Sequence, residues 1–323
     1  MNYKSILFFL GIYSFAVAFL SILNILYAIY FNFILDLNSY LVTLILSFLV
    51  GSFFCFIGRK QNKNISSIHQ ILLIILTLLF IPVLISIPYY LSVYDFNFLN
   101  SYFESVSGFT TTGFSIIENP KLIDEPLLLW RSTSQWLGGL FFLIATLGTL
   151  GSKNIKIKPV YLLTEENLSS NFYVNFNENF IRILLIYFIS TILIIFFYNL
   201  TNIRLFDSFN LALTVISSGG FIRTNSLSEI TSDNLQILVL AITLLIPIFN
   251  FYLLFKILTK KFKFHDHQED LHLGILVFSI TLIFYFFILS DESFSSVFLS
   301  VASSISTSGI STHSSDLDVS LFF

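Results

Sequence analysis

The sequence predicts an all-α polytopic membrane protein of repeated helix–pore loop–helix units around a central ion pore, preceded by two extra N-terminal helices. Three observations predict it. The 323 residues are 55% hydrophobic and 11% charged, with a mean hydropathy of +0.85, outside the range of soluble domains. Apolar runs of bilayer-spanning length, about 20 residues, recur along the whole chain. Between successive pairs of runs, one short pattern occurs three times.

The pattern is anchored on Gly113, Gly220 and Gly309. Placed over one another, they align Tyr102-…-Thr110-Thr111-Thr112-Gly113-Phe114 with Phe209-…-Ser217-Ser218-Gly219-Gly220-Phe221 and Phe298-…-Ser306-Thr307-Ser308-Gly309-Ile310. Each copy opens on an aromatic residue, continues with small and apolar residues, and closes on hydroxyls, a glycine and a bulky apolar side chain. About 10 helical residues reach only about 15 Å, half of what a bilayer requires. Each copy therefore reads as a half-helix followed by a short non-helical run. Such backbone is tolerated at membrane depth only inside protein or along a water-filled path. There its carbonyls can replace the hydration shell of a cation, at the partly negative end of the half-helix. The expected ion-binding residues are Thr110, Thr111, Thr112 and Gly113, then Ser217, Ser218, Gly219 and Gly220, then Ser306, Thr307, Ser308 and Gly309. The glycines supply the backbone angles. One glycine per copy predicts a short filter with looser potassium-over-sodium discrimination. The competing reading is three polar loops that pack helices together.

In chain order, Lys4 to about Phe31 is too long for a signal-peptide core, and Ala16-Val17-Ala18 lies inside it, so it reads as an uncleaved helix. A second helix runs from about Ser39 to Ile57, a basic loop follows, and a third runs from about Ile68 to Leu91 with Pro82 and Pro88 near its far end. After the first re-entrant segment comes a helix from about Pro126 to Leu150. The pattern repeats with helix Phe180–Leu200, re-entrant segment Asp207–Phe221 and helix Leu235–Leu258. A third round begins with helix Leu271–Leu289 and segment Ser293–Ile310. The repeat is roughly 90–110 residues long. The expected division is 1–64 for the two leading helices, 65–152 and 153–264 for pore units 1 and 2, and 265–323 for a partial unit 3.

Charge placement orients the chain. Arg59, Lys60, Lys63, Lys153, Lys156, Lys158, Lys256, Lys260, Lys261 and Lys263 fall in loops on one side; Lys121, Arg131, Arg204 and Arg223 fall on the other. The positive-inside rule puts the N-terminus in the cytoplasm. Asp95, Glu104, Glu118, Asp124, Glu125, Asp207, Glu229, Asp233, Asp291 and Glu292 then face outward, as an acidic vestibule that concentrates cations or as ordinary solvated charges.

Trp130-Arg131-Ser132-Thr133-Ser134-Gln135-Trp136-Leu137-Gly138-Gly139, with FTTTG before it and ISSGGF after it, resembles the Trk/Ktr/HKT superfamily of potassium-uptake proteins. The two leading helices make the chain look more like the bacterial TrkH branch, and Ile248-Phe249-Asn250-Phe251 is similar to that family's second-repeat inner helix. The resemblance implies four units around one pore, descended from a potassium-channel protomer, with K+ as the transported ion and no covalent cofactor. It implies a homodimer in the bacterial inner membrane (plasma membrane), in contact with lipid and with cytosolic nucleotide-binding regulatory subunits of the TrkA/KtrA kind. Only three filters are present and the chain stops at Phe323, so C-terminal truncation is expected. Ile222-Arg223-Thr224 replaces the small hydroxyl residues usual after the second filter, and an unpaired guanidinium there would oppose cation entry.

Other features read as structural. Glu104 is costly inside a half-helix and is expected to cap a loop or face the vestibule. Arg131 and Gln135, one turn apart, are expected to snorkel or hydrogen-bond between helices. Gly138-Gly139 are expected to seat a pore helix, and Cys55, the single cysteine, to act as a small apolar residue. His265, Asp266, His267 and His272 lack a supporting cluster for metal. No phosphate loop, HExxH or Ser/His/Asp arrangement is present, so an enzyme is not expected, nor is nucleic acid a partner. A broken-helix secondary transporter and, further off, an intramembrane serine protease using His313 are the alternatives.

Overall fold

The computed structural model describes residues 3–59, 67–150, 172–249, 268–289 and 291–311. Ten α-helices are defined among them: α1 Tyr3–Tyr30, α2 Leu37–Gly58, α3 Ser67–Tyr90, α4 Phe98–Phe109, α5 Glu125–Leu150, α6 Phe172–Leu200, α7 Leu205–Ile216, α8 Asn234–Leu244, α9 Gln268–Phe287 and α10 Phe294–Ile305. Five are long and apolar enough to cross a membrane: α1, α2, α3 from Ile68, α6 from Ile183, and α9. The protein is therefore polytopic and, among the described residues, all-α. The expected helices are present with ends shifted by a few residues, except at α8 and at the start of α6, which lies at Phe172 instead of Phe180.

The exception at α8 is a correction. A continuous helix to Leu258 was expected, but α8 ends at Leu244 and residues 245–249 form turns. Leu245 N–H bonds to Ile242 O at 3.1 Å and Ile246 N–H to Thr243 O at 3.1 Å, both i to i−3. Pro247 explains the break: it has no N–H to donate, and it pushes the residue before it away from helical angles. Residues 250–258 lie outside the described residues, as do Asn250 and Phe251 of the family-like stretch.

The chain divides into two compact bodies, one comprising Met1–Ile116 and Ile123–Leu184, the other Ile117–Leu122 and Leu185–Phe323. In the first, α1 and α2 pack backbone to backbone. A Cβ on Gly11 would meet Cys55 Sγ at 2.7 Å and Gly51 O at 2.9 Å, and one on Gly58 would meet Lys4 O at 2.5 Å. Small residues permit this approach between apolar helices, and Cys55 takes part in it as one of them. Helix α5 is tied to α1 by Asn24 Nδ2 donating to Pro126 O (3.1 Å) and Tyr27 OH donating to Glu125 (2.7 Å). It is tied to α3 by Trp130 Nε1 donating to Ile85 O at 3.0 Å.

In the second body, Tyr198 and Thr243 hydroxyls join α6 to α8 at 2.6 Å. Gln236 Nε2 donates to Thr201 O at 2.8 Å while its Oε1 accepts from Ser232 N at 2.7 Å, fixing the start of α8. Helix α10 packs along α8, and Ser295 Oγ donates to Asn234 Oδ1 at 3.0 Å where both begin.

Candidate functional site: three repeated turns

Helices α4, α7 and α10 are each 12 residues long. Each begins 15 residues before its marker glycine and ends four before it. Unlike the spanning helices they are amphipathic, with one apolar face and one polar face, rich in serine in α4 and α10 and carrying Asp207, Asn210 and Thr214 in α7. Two have side-chain N-caps: Asn97 Oδ1 accepts from Asn100 N at 2.8 Å, and Ser293 Oγ from Ser296 N at 3.2 Å. Arg204 holds the same position before α7 and makes no side-chain cap.

The turns that follow share one backbone. Thr111, Ser218 and Thr307, each two residues before the glycine, have φ of 56°, 56° and 58°; Gly113, Gly220 and Gly309 have φ of 81°, 82° and 68°. The hydrogen bonds repeat as well. Thr111 N–H reaches Gly108 O (3.0 Å) and Thr112 N–H reaches Ser107 O (2.9 Å). Ser218 and Gly219 bond in the same way to Val215 (3.0 Å) and Thr214 (2.9 Å), and Thr307 and Ser308 to Ser304 (3.2 Å) and Ser303 (3.1 Å). This paired i−3 and i−5 arrangement is a Schellman helix ending. Its left-handed position usually holds glycine; threonine there carries about 1–2 kcal/mol of strain. The ending uses the carbonyls of Ser107 and Gly108. Among the described residues, no hydrogen bond reaches the carbonyls of Thr110, Thr111, Thr112 or Gly113. A Cβ on Gly309 would have nothing within 4 Å, so its φ alone requires glycine.

Side chains brace each turn differently. In the first, Glu104 lies within α4 and is 1% exposed. It accepts from Arg131 Nε of α5 (2.9 Å), from Ser115 Oγ (3.0 Å) and from Ile116 N (3.1 Å), while Arg131 Nη2 donates to Ser115 Oγ (3.0 Å). The ion pair thus holds down the segment that leaves the turn. Arg131 bonds between helices as expected, but it does not snorkel: its side chain is 3% exposed. Gly138 seats α4 against α5, since a Cβ there would lie 1.9 Å from Phe109 O. An apolar cavity of about 300 Å³ adjoins Thr110 and Thr111, walled by Ile74, Leu78, Phe109 and Phe141.

In the second, the pair lies at the exit of the turn. Arg223 Nε and Nη2 grip Asp207 Oδ1 and Oδ2 at 2.5 and 3.1 Å, so the guanidinium is neutralised by the first turn of its own half-helix. Thr214 Oγ1 donates to Phe221 O at 2.9 Å. In the third, hydroxyls do the bracing: Ser303 and Ser306 meet Ser308 at 3.2 and 3.1 Å. Ser311 O accepts from Leu227 N at 3.3 Å.

Several of the carboxylates expected to line an acidic vestibule have partners instead. Glu104 and Asp207 are buried in ion pairs, Glu229 pairs with Lys121, and Glu125 accepts from Tyr27. The sequence did not disclose these partners, which lie 16 or more residues apart along the chain. His272 Nδ1 turns to Gln268 O, and His69 packs edge-on to Tyr3. Among the described residues no three His, Cys, Asp or Glu side chains are placed to hold a metal. His265, His267, His313 and the basic loops at 152–171 and 256–263 lie outside the described residues.

No family model matches the chain. It is 29% identical over 239 residues to an uncharacterized cation transporter of Methanocaldococcus jannaschii, covering 72% of this chain and 50% of that one. It is 23% identical over 290 residues to the Trk system potassium uptake protein TrkH of Salmonella typhimurium, covering 86% of this chain and 60% of the relative. The chain spans about half the length of the curated relatives it matches. Among solved structures, the crystal structure of the potassium transporter TrkH from Vibrio parahaemolyticus superposes with a TM-score of 0.79 at 19% identity, over 99% of this chain and 68% of that one.

Proposed function

The chain is related in sequence and fold to the Trk-type potassium transporters, and from that kinship we propose that it is the ion-conducting subunit of a potassium-uptake system. The observation that carries the proposal is the turn repeated after α4, α7 and α10, with the same left-handed residue and the same glycine each time. Carbonyls from Thr110 to Gly113, Ser217 to Gly220 and Ser306 to Gly309 stand in for water around a passing K+ ion. The end of each half-helix adds a partly negative field.

The pore units are 65–152, 153–264 and 265–323, following the leading helices of 1–64. Loop charges place the N-terminus in the cytoplasm and the turns toward the outside of the plasma membrane. The pairing of Arg131 with Glu104, of Arg223 with Asp207 and of Lys121 with Glu229 is consistent with this, because three of the four outward basic residues are offset by a carboxylate. A homodimer and cytosolic nucleotide-binding partners at the basic loops complete the reading. Expression in a strain lacking potassium uptake, with rubidium-tracer influx as the readout, tests it. Restored growth at low potassium with saturable influx is expected; correctly inserted protein that moves no tracer would contradict it.

A further inference from the structure

The three turns share a backbone, yet among the described residues only the first is caught by a carboxylate midway along its own half-helix. Nine residues before the marker glycines stand Glu104, Leu211 and Ser300. Leu211 is buried and apolar, and Ser300 Oγ donates back within α10, to Ser296 O at 3.0 Å. Glu104 instead reaches out of α4 to the segment that leaves the turn. Its Oε2 accepts from the main-chain N–H of Ile116 at 3.1 Å. Both of its oxygens accept from Ser115 Oγ, at 3.0 and 3.2 Å.

The result is a loop tied at both ends to one helix face. Ser107 O and Gly108 O take the N–H groups of Thr112 and Thr111. Glu104 lies one helical turn earlier on that face, about 5 Å back along the axis. The chain leaving Gly113 therefore returns alongside α4 and is fastened there, with the carbonyls of Thr112 and Gly113 strung between the two ties. Arg131 closes the bracket from α5: Nε donates to Glu104 at 2.9 Å and Nη2 to Ser115 Oγ at 3.0 Å. The Ser115 hydroxyl thus receives from the guanidinium and gives to the carboxylate.

The other turns hold the same segment by different means. Phe221 and Ile310, directly after their glycines, are buried, whereas Phe114 is exposed. Asp207 sits at the far end of its half-helix and grips the side chain of Arg223, not the main chain.

We propose that Glu104, Arg131 and Ser115 are positioning residues for ion discrimination, holding the carbonyls of the first turn at the spacing that suits potassium through the segment that leaves it. Buried apolar side chains do the same for the other two units. This rests on the transport reading above and names the side chains that set its selectivity. A carbonyl tied on both sides cannot close on a smaller ion, whereas one released at the exit can.

The test is the potassium-to-sodium permeability ratio of the full chain in reconstituted vesicles, with melting temperature measured alongside. Ser115→Ala removes the hydroxyl and leaves the Glu104–Arg131 pair in place. It should lower the ratio by about threefold or more while melting close to the parent. Ser115→Thr, which keeps the hydroxyl, should restore the ratio. Arg131→Lys keeps a positive charge beside Glu104 but loses the fork that reaches Ser115 as well, so its ratio should also fall; it carries the test alone if Ser115→Ala does not fold. Ser300→Ala, at the matching position of α10, should keep the parent's ratio. A conducting parent whose Ser115→Ala and Arg131→Lys forms discriminate as well as it does overturns the proposal and leaves the transport reading standing. So does a melting temperature that falls while the ratio holds, or a loss that Ser115→Thr does not restore. A correctly inserted parent that moves no ion overturns the transport reading, and this proposal with it.

Discussion

The turns after α4 and α7 have the same backbone and opposite supports. The first is braced by Glu104–Arg131, which joins the half-helix to the next long helix with both side chains at most 3% exposed. The second is braced by Asp207–Arg223, which closes within one re-entrant segment and leaves the arginine 25% exposed. The bulky residue after the glycine follows suit: Phe114 is 70% exposed, Phe221 only 4%. Turn conformation is thus set locally, by helix length, the Schellman ending and one glycine. The side chains that hold the turn in place are a separate choice for each unit.

If that separation holds, breaking the supports should differ sharply between the two. The largest effect is expected at the first. Glu104→Gln or Arg131→Met alone leaves one buried charge without its partner and should cost about 3–5 kcal/mol, read as a drop in melting temperature of detergent-solubilised protein. The double variant should cost less than the sum of the two, because neither charge is then stranded. Next is Gly138→Ala, which forces α5 off Phe109 and should cost about 1–3 kcal/mol by the same measurement.

The second support should matter less for stability and more for entry of ions. Arg223→Gln should cost about 1 kcal/mol or less, since the arginine is partly solvated. Asp207→Asn frees the guanidinium at the proposed mouth and should lower potassium influx on the order of tenfold at low salt, an effect that fades as ionic strength rises. Influx in Asp207→Asn equal to that of the parent would contradict a role for the second support in ion entry. The smallest effect is expected for Thr111→Gly. It relieves a left-handed threonine but adds backbone freedom to the unfolded chain, so the melting point should move by less than about 1 kcal/mol equivalent and upward.

Much of this was legible in the sequence. The half-helices were readable because length and pattern decide them: 12 residues cannot span, and hydroxyl–glycine ends recur in register. The left-handed residue two before each glycine was not readable. Helix endings of this kind ordinarily announce themselves with glycine at that position, and Thr111, Ser218 and Thr307 carry no such mark. Glu104 and Arg131 were visible as costly residues, but nothing in a spacing of 27 residues pairs them. The break after Leu244 did have a signal in Pro247, overridden by the apolar run around it. The same kind of limit applies to Asp36, whose N-cap position hides a side chain turned to another connection.

In the proposed function the carbonyls of the three turns select the ion, and the potassium-to-sodium permeability ratio tests that most directly. In reconstituted vesicles, Gly113→Ser, Gly220→Ser and Gly309→Ser should each lower the ratio, because serine resists the positive φ found at all three. Ratios equal to the parent's in folded, conducting variants would contradict it.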